Sequence, residues 1–159
     1  MHSADQIGKL LQKLDERQAD DLEDQWLDFK QWNERSMSDS VDMVVEMAVC
    51  MANGGRGTVV FGVKDWATGR EDAILGVPPE VDVNRLRRSV YDKTDPHLTP
   101  DFEEIRVPEG TRRLIVMRVI GGAWAIHGYS GWSQDPDRQR LYASHRQPAQ
   151  QDHGGDRGE

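Results

Sequence analysis

The chain has 159 residues with a single cysteine and carries a formal net charge of −8. This length allows one domain of ordinary size, and one cysteine excludes an internal disulfide framework. No apolar run approaches the roughly 20 residues of a membrane-spanning helix, and the N-terminus lacks a signal-peptide pattern, so we expect a cytoplasmic protein that does not enter membranes.

The N-terminal half of the chain predicts two helices and two strands. Apolar residues recur at helical spacing from Ser3 to about Asp20, with Ser3 as a candidate N-cap. The alternation in residues 26–30 predicts a short strand that buries Leu27 and Phe29 and turns Asp28 and Lys30 to solvent. A wide apolar stripe over residues 39–52 predicts a second helix that Ser36 could cap. A glycine-rich run follows, and residues 58–63 are apolar on both faces, as in a central strand.

The following segment predicts a strand, a helix and a hairpin before the composition changes. Residues 73–77 read as a strand, and Asp82 caps a helix that stops near Asp95. Residues 102–107 and 113–120 form the arms of a hairpin. These elements predict an α/β fold, a mixed sheet with flanking helices, as one small domain over residues 1–122.

Residues 123–159 have a different composition and are predicted to form a tail of low order. They are rich in Gln, Gly, Asp, Arg and Ser, and their aromatic residues follow no regular period. Such a segment buries too little apolar surface to offset its ordering entropy, so we expect disorder from about Ser133. We also hypothesise that the reading frame shifts just after Gly122, which would leave the domain truncated and without an edge strand and its basic residues.

Three segments carry a resemblance to a known family. They are residues 23–30 (EDQWLDFK), residues 52–65 (ANGGRGTVVFGVKD) and residues 74–77 (ILGV). In this order and spacing they resemble the Schlafen AlbA-type domain, over about residues 7–120. The resemblance implies a nucleic-acid-binding module, of a transcriptional regulator or a defence protein. The family also carries an ATP-binding label.

The resemblance further implies a catalytic alternative. In Schlafen proteins with endoribonuclease activity, three acidic side chains of this domain form the site, and the matching positions are Glu23, Asp28 and Asp65. Clustered carboxylates can hold Mg²⁺ or Mn²⁺, which activates water and neutralises phosphate. Lys30, on the same strand face as Asp28, could steady a phosphate oxygen. Lys64 stands where the family has a further Asp, and carboxylates on a strand face more often serve solubility.

The glycine-rich turn after the second helix offers a phosphate-binding alternative. Backbone N–H groups of Asn53, Gly54, Gly55 and Gly57 could cradle phosphate. The segment lacks the Walker pattern and its glycines follow a helix, so an ordinary helix end is favoured. The sequence thus gives no support of its own to ATP binding.

Basic residues in the middle of the chain are the best candidates for phosphate contacts. Residues 1–52 hold 5 basic and 12 acidic residues, whereas residues 53–122 hold 11 of each. The candidates are Arg85, Arg87, Arg88, Arg112 and Arg113, together with Lys30. The acidic overall balance counts against strong electrostatic binding, and a solvated helix face remains the simpler interpretation of the arginines.

We therefore predict a module that binds DNA or RNA rather than an enzyme. One alternative is a metal-dependent nuclease with Mg²⁺ or Mn²⁺ on the three carboxylates. The other is a protein-interaction or assembly domain without nucleic acid. Self-association into a homo-oligomer is compatible with each of these functions.

Overall fold

The computed structural model describes residues 1–108, 112–122 and 126–128. Its main element is a sheet of four strands, whose spatial order is β1-β2-β5-β4. The strands in chain order are β1 Leu27–Lys30, β2 Arg56–Phe61, β3 Thr94–Asp95, β4 Asp101–Arg106, β5 Arg113–Ile120 and β6 His127–Gly128. The α-helices are α1 Ala4–Gln12, α2 Met37–Asn53, α3 Arg70–Ala73 and α4 Val83–Asp92, and 3₁₀ turns cover Lys13–Asp15 and Asp20–Leu22.

The sheet is mixed, as the sequence predicts. β1 and β2 run parallel, which requires a crossover, and α2 provides it. β5 is antiparallel to both of its neighbours, β2 and β4. The predicted hairpin of β4 and β5 is therefore confirmed, and so is the mixed α/β class.

Each face of the sheet has its own core because strand side chains alternate between the two faces. Leu27, Phe29 and Val60 are buried on one face together with Ile7 and Leu11 of α1. The other face buries residues of β2 and β5 against α2 and α4, among them Val59, Phe61, Ile115, Val44 and Leu86. β2 is central and covered on both faces, which explains its continuous apolar sequence.

Side-chain caps begin the three longest helices where the sequence indicates them. The Ser3 hydroxyl accepts from the backbone N–H of Gln6, whose side chain accepts in return from the Ser3 N–H. Ser36 caps α2 by accepting from the N–H of Asp39, and Asp82 caps α4. α1 is shorter than predicted, because the helical pattern continues past Gln12 only as a 3₁₀ turn.

The predicted strand over residues 73–77 is wrong. Arg70–Ala73 forms a short helix, and only an isolated bridge joins Ile74 to Val63. The backbone N–H groups of Leu75 and Gly76 both donate to the carbonyl oxygen of Gly62. The chain therefore folds tightly around Gly62 instead of extending along a neighbouring strand.

Contacts with the domain continue to residue 128. The side-chain amide of Asn53 exchanges two hydrogen bonds with the backbone of Ile126, which is buried in the core. β6 pairs with β3. Residues 123–125 and 129–159 lie outside the described residues. The boundary near Gly122, the disorder from Ser133 and the shifted reading frame stay predictions. None of the helices in the described ranges is long and apolar enough to cross a membrane.

Candidate functional site

The side chains of three predicted site residues meet at the outer edge of β1. The Lys30 ammonium lies 2.6 Å from Asp28 Oδ1 and 3.2 Å from the carbonyl oxygen of Phe29. Glu23 Oε1 accepts from the Phe29 N–H at 2.9 Å. Leu27 and Phe29 are fully buried, as the alternation predicts. Asp28 and Lys30 lie on the opposite face, where their side chains are only 18% and 28% exposed, so they do not project into solvent as expected.

These contacts also close the edge of the sheet. The outward backbone groups of β1 belong to Leu27 and Phe29. Asp24 pairs with both polar groups of Leu27 through its own backbone, and Glu23 and Lys30 satisfy those of Phe29. An edge strand with no free N–H or C=O cannot pair with another chain. Glu23 and Lys30 therefore have a structural role whatever else they do.

The cluster perturbs the proton affinities of its members. The pKa of Glu23 is raised to about 7, first by burial and then by the hydrogen bond and charge of Asp28, against the opposing effects of the Phe29 N–H and Lys30. Burial also raises the pKa of Asp65, an effect that Lys30 opposes. Burial alone would lower the pKa of Lys30, but the surrounding carboxylates, Asp28 first, hold it above its ordinary value. Asp65 thus belongs to the same electrostatic cluster.

We expect the raised pKa of Glu23 to appear in the pH dependence of stability. A carboxyl whose folded pKa lies above its unfolded value contributes stability below about pH 4.5 and loses it as the pH rises to about 7. Glu23→Gln keeps a hydrogen-bond acceptor and cannot ionise. The variant should therefore be more stable than the parent at pH 8 by about 1 kcal/mol, a value reduced for solvent screening, and the two should converge at pH 5. Chemical denaturation at both pH values measures this, and parallel pH profiles of the two proteins would contradict it.

The same cluster was the predicted Mg²⁺ or Mn²⁺ site. Within residues 1–108, 112–122 and 126–128, no three His, Cys, Asp or Glu side chains are placed to hold a metal ion. The cation that balances Asp28 is the Lys30 ammonium. Since the donor set does not fit a divalent ion, we derive no chemistry through one, and the nuclease alternative stays a prediction.

The glycine-rich loop is built as a helix end. The N–H of Gly54 donates to the carbonyl of Cys50 at 3.0 Å, and that of Gly55 donates to Ala52 at 3.0 Å. Gly55 has a φ of 93°, which favours glycine. Gly57 already belongs to β2 and pairs with Val119. The Asn53 side-chain amide is bonded to Ile126. The groups that were predicted to bind phosphate therefore already make contacts inside the domain.

Two of the predicted arginines also serve the fold. Arg112 donates to the backbone carbonyl oxygens of Glu71 and Ile74. The Arg113 guanidinium donates to three carbonyl oxygens in the turn before α4 and pairs with Glu104 at 2.8 Å. Both side chains hold the 71–81 segment against β5, through Nη1 of Arg112 and through Nη2 of Arg113.

The remaining arginines lie along α4 and are more accessible. Arg85 and Arg88 are exposed, and neither has a hydrogen bond or ion pair with any residue that the structure describes. Arg87 is half-buried, since it donates to Asn84 Oδ1 at 2.6 Å and its guanidinium lies 5.9 Å from the centre of the Phe102 ring. α4 thus presents two free cations and one that is held in place.

A cleft of about 430 Å³ opens beside this row of arginines. Its walls are Asn84, Arg87, Arg88, Tyr91, Asp92 and Thr99. Tyr91 is 45% exposed and stacks on His97 with a centroid distance of 4.2 Å. This cleft was not predicted from the sequence. Helical spacing of Asn84, Arg88 and Tyr91 could have indicated a shared face. Nothing local in the sequence places Thr99 against that face or His97 on the Tyr91 ring.

Comparison with known proteins identifies the domain type. The chain matches the Schlafen AlbA_2 family over residues 23–128, whereas no curated protein matches it. It is similar to the DIP2311 protein from Corynebacterium diphtheriae with a TM-score of 0.53 and 23% identity. That match covers 66% of this chain and 19% of the other, so the chain spans about a fifth of its length.

A second solved structure is the N-terminal domain of a RecG-related protein from Nitrosomonas europaea. The identity is 23% and the TM-score 0.48, with 84% of each chain covered. At 23% identity the match to the DIP2311 protein shows only the fold, and the TM-score of 0.48 is too low for the second structure to carry an argument. The family match covers two thirds of the chain. The chain belongs to the Schlafen AlbA_2 family.

Proposed function

We propose that this domain binds nucleic acid through the exposed face of α4. The observation that carries the proposal is the cleft in which Arg87 and Arg88 lie beside the exposed ring of Tyr91. Arginine donates to phosphate oxygens in a fixed fork geometry, and aromatic rings stack on bases. The chain also belongs to the Schlafen AlbA_2 family, and resemblance to that type of domain implies a nucleic-acid-binding module, which supports the same assignment.

The availability of donors separates α4 from the other candidate surfaces. Lys30 is paired with Asp28, and the guanidinium groups of Arg112 and Arg113 are bound to backbone carbonyls. The free energy lost by breaking such contacts would offset much of the free energy gained from a phosphate contact. Arg85 and Arg88 have no internal partner in the described part of the chain, so they can bind an anion without that loss.

The acidic character of the chain limits the contribution of phosphate contacts. A net charge of −8 repels a polyanion at long range. Two or three arginines release few counterions, and each phosphate contact adds roughly 0.7 to 0.9 to the salt slope. We therefore expect moderate affinity with a shallow salt dependence, in which contacts other than phosphate have a large share.

We expect replacement of both free arginines to weaken binding to every sequence. Arg85→Ala with Arg88→Ala should lower the affinity for a labelled oligonucleotide roughly tenfold and reduce the salt slope by about 1.4 to 1.8 units, because two phosphate contacts are lost. Fluorescence anisotropy between 50 and 200 mM salt measures both quantities. Arg17→Ala with Arg35→Ala makes the same change in charge at exposed positions outside α4 and is the control.

Equal losses in the two double variants would mean that only net charge matters and that α4 is not the interface. Absence of binding by the parent chain to DNA and RNA would reject the proposal and favour the protein-interaction alternative. Cleavage of the oligonucleotide that requires added Mg²⁺ or Mn²⁺ would revive the nuclease alternative.

A further inference from the structure

The size of the α4 cleft limits what can enter it. At about 430 Å³ it lies near the small end of the range for ligand sites. The cleft is shallow and open, and an unpaired base can turn its face onto such a surface, whereas a base that is stacked and paired inside a duplex has no free face to offer. The cleft is therefore suited to single-stranded nucleic acid.

An aromatic platform stands at the wall of the cleft. Tyr91 and His97 are stacked with an interplanar angle of 18°, and the backbone carbonyl of Tyr91 lies 2.7 Å from His97 Nδ1. This contact holds the His97 ring in place, and the His97 ring in turn restricts the Tyr91 ring that stacks on it. An ordered aromatic ring beside a cavity is the usual support for an unpaired base, and its loss costs roughly five- to 150-fold in affinity per base.

Asp92 is an unusual wall residue for a site that would take phosphate alone. Its carboxylate would repel phosphate oxygens, but it can accept two neighbouring N–H groups at once. Guanine presents two such donors, N1–H and the N2 amino group, on its pairing edge. Arg88, four residues before Asp92 on the same helix face, also lines the cleft and can donate to the guanine acceptors O6 and N7. The combination of one carboxylate and one free guanidinium matches guanine better than the other bases.

We propose that the α4 cleft takes one unpaired base of a single strand, guanine by preference, against Tyr91. This inference rests on the proposed nucleic-acid binding and names its substrate class. Tyr91 supports the base, Asp92 accepts from its pairing edge, and Arg88 donates to its remaining acceptors. Arg85, six residues before Tyr91 on the same helix and outside the lining of the cleft, binds the backbone of the strand.

The test compares short oligonucleotides on the full 159-residue chain. The probes are a 12-mer of thymidine, the same strand with one central guanosine or cytidine, and the guanosine strand annealed to its complement. We expect the guanosine strand to bind at least fivefold more tightly than the other three. Tyr91→Ala should reduce its affinity at least fivefold, and Asp92→Asn should remove the preference for guanosine. Trp66→Ala removes an exposed aromatic ring elsewhere and should leave binding unchanged.

The outcomes separate this inference from the proposed function. If the duplex binds as tightly as the strand, or Tyr91→Ala binds like the parent, the base-in-cleft inference is wrong, while a loss in the Arg85 and Arg88 double variant would still support α4. Equal binding of the guanosine and cytidine strands overturns the guanine preference. If no probe binds, both proposals fail. Unchanged melting temperatures of the variants show that a loss of binding is not a loss of fold.

Discussion

Gly62→Ala should destabilise the domain by about 3 kcal/mol. Gly62 has a φ of +103°, a conformation that costs other residues roughly 1 to 2 kcal/mol. An added Cβ would also lie 2.8 Å from the backbone carbonyl carbon of Gly76 and 2.9 Å from Leu114 Cδ2. Overpacking a closed core costs roughly 1 to 3 kcal/mol, and here the nearest neighbour is backbone that cannot rotate away. Urea denaturation measures the loss.

Gly69→Ala is the matched control for this prediction. Gly69 has a similar φ of +96°, but nothing lies within 4 Å of the position of an added Cβ. Its substitution should therefore cost only the backbone strain, about 1 kcal/mol. If the two variants lose the same amount, the close approach of Gly62 to Gly76 is not what requires glycine at position 62.

Lys30→Met should destabilise the domain by about 2 kcal/mol at pH 8. The substitution removes the cation that Glu23, Asp28 and Asp65 share, and it leaves the outward carbonyl of Phe29 without its donor. Breaking a buried ion pair costs about 3 to 5 kcal/mol, and partial exposure of this pair reduces the expected loss. The loss should shrink at pH 5, because the Glu23 carboxyl, with its pKa raised to about 7, takes up a proton there. Urea denaturation at both pH values tests this.

Lys93→Met provides the comparison for an ordinary surface pair. Lys93 lies 2.7 Å from Asp42, and both side chains are 35% exposed. Such pairs contribute about 0 to 1 kcal/mol. A similar loss for Lys30→Met and Lys93→Met at pH 8 would mean that the carboxyl cluster has no special need for its lysine.

Local signals in the sequence predicted most of the fold. The alternation of residues 27–30 identified which side chains of β1 are buried, and Ser3, Ser36 and Asp82 marked the beginnings of helices. The strand expected over residues 73–77 failed because its apolar pattern is equally compatible with a turn. The backbone conformation of this segment is determined by the hydrogen bonds that Leu75 and Gly76 donate to Gly62, a residue more than ten positions away.

The sites were less predictable than the fold, because contacts between residues that are distant in the sequence decide which charged side chains are available to bind a ligand. The sequence grouped Arg113 with Arg88 as basic residues, yet only Arg113 meets backbone carbonyls of the turn that precedes α4. Lys30 was expected to meet phosphate, but Asp28, on the same strand face, pairs with it first. Tyr91 and Thr99 both line the cleft, and Tyr91 stacks on His97, because the chain turns back beyond α4.

Mapping the bound strand by nuclear magnetic resonance shows whether nucleic acid binds at α4. The isotope-labelled chain is titrated with the guanosine-containing 12-mer, and backbone amide shifts are followed. We expect the largest changes in residues 84–92 and 97–99, with little change in residues 23–30 or 53–57. Changes concentrated at the carboxyl cluster or at the glycine loop, or no changes at all, would contradict binding through α4.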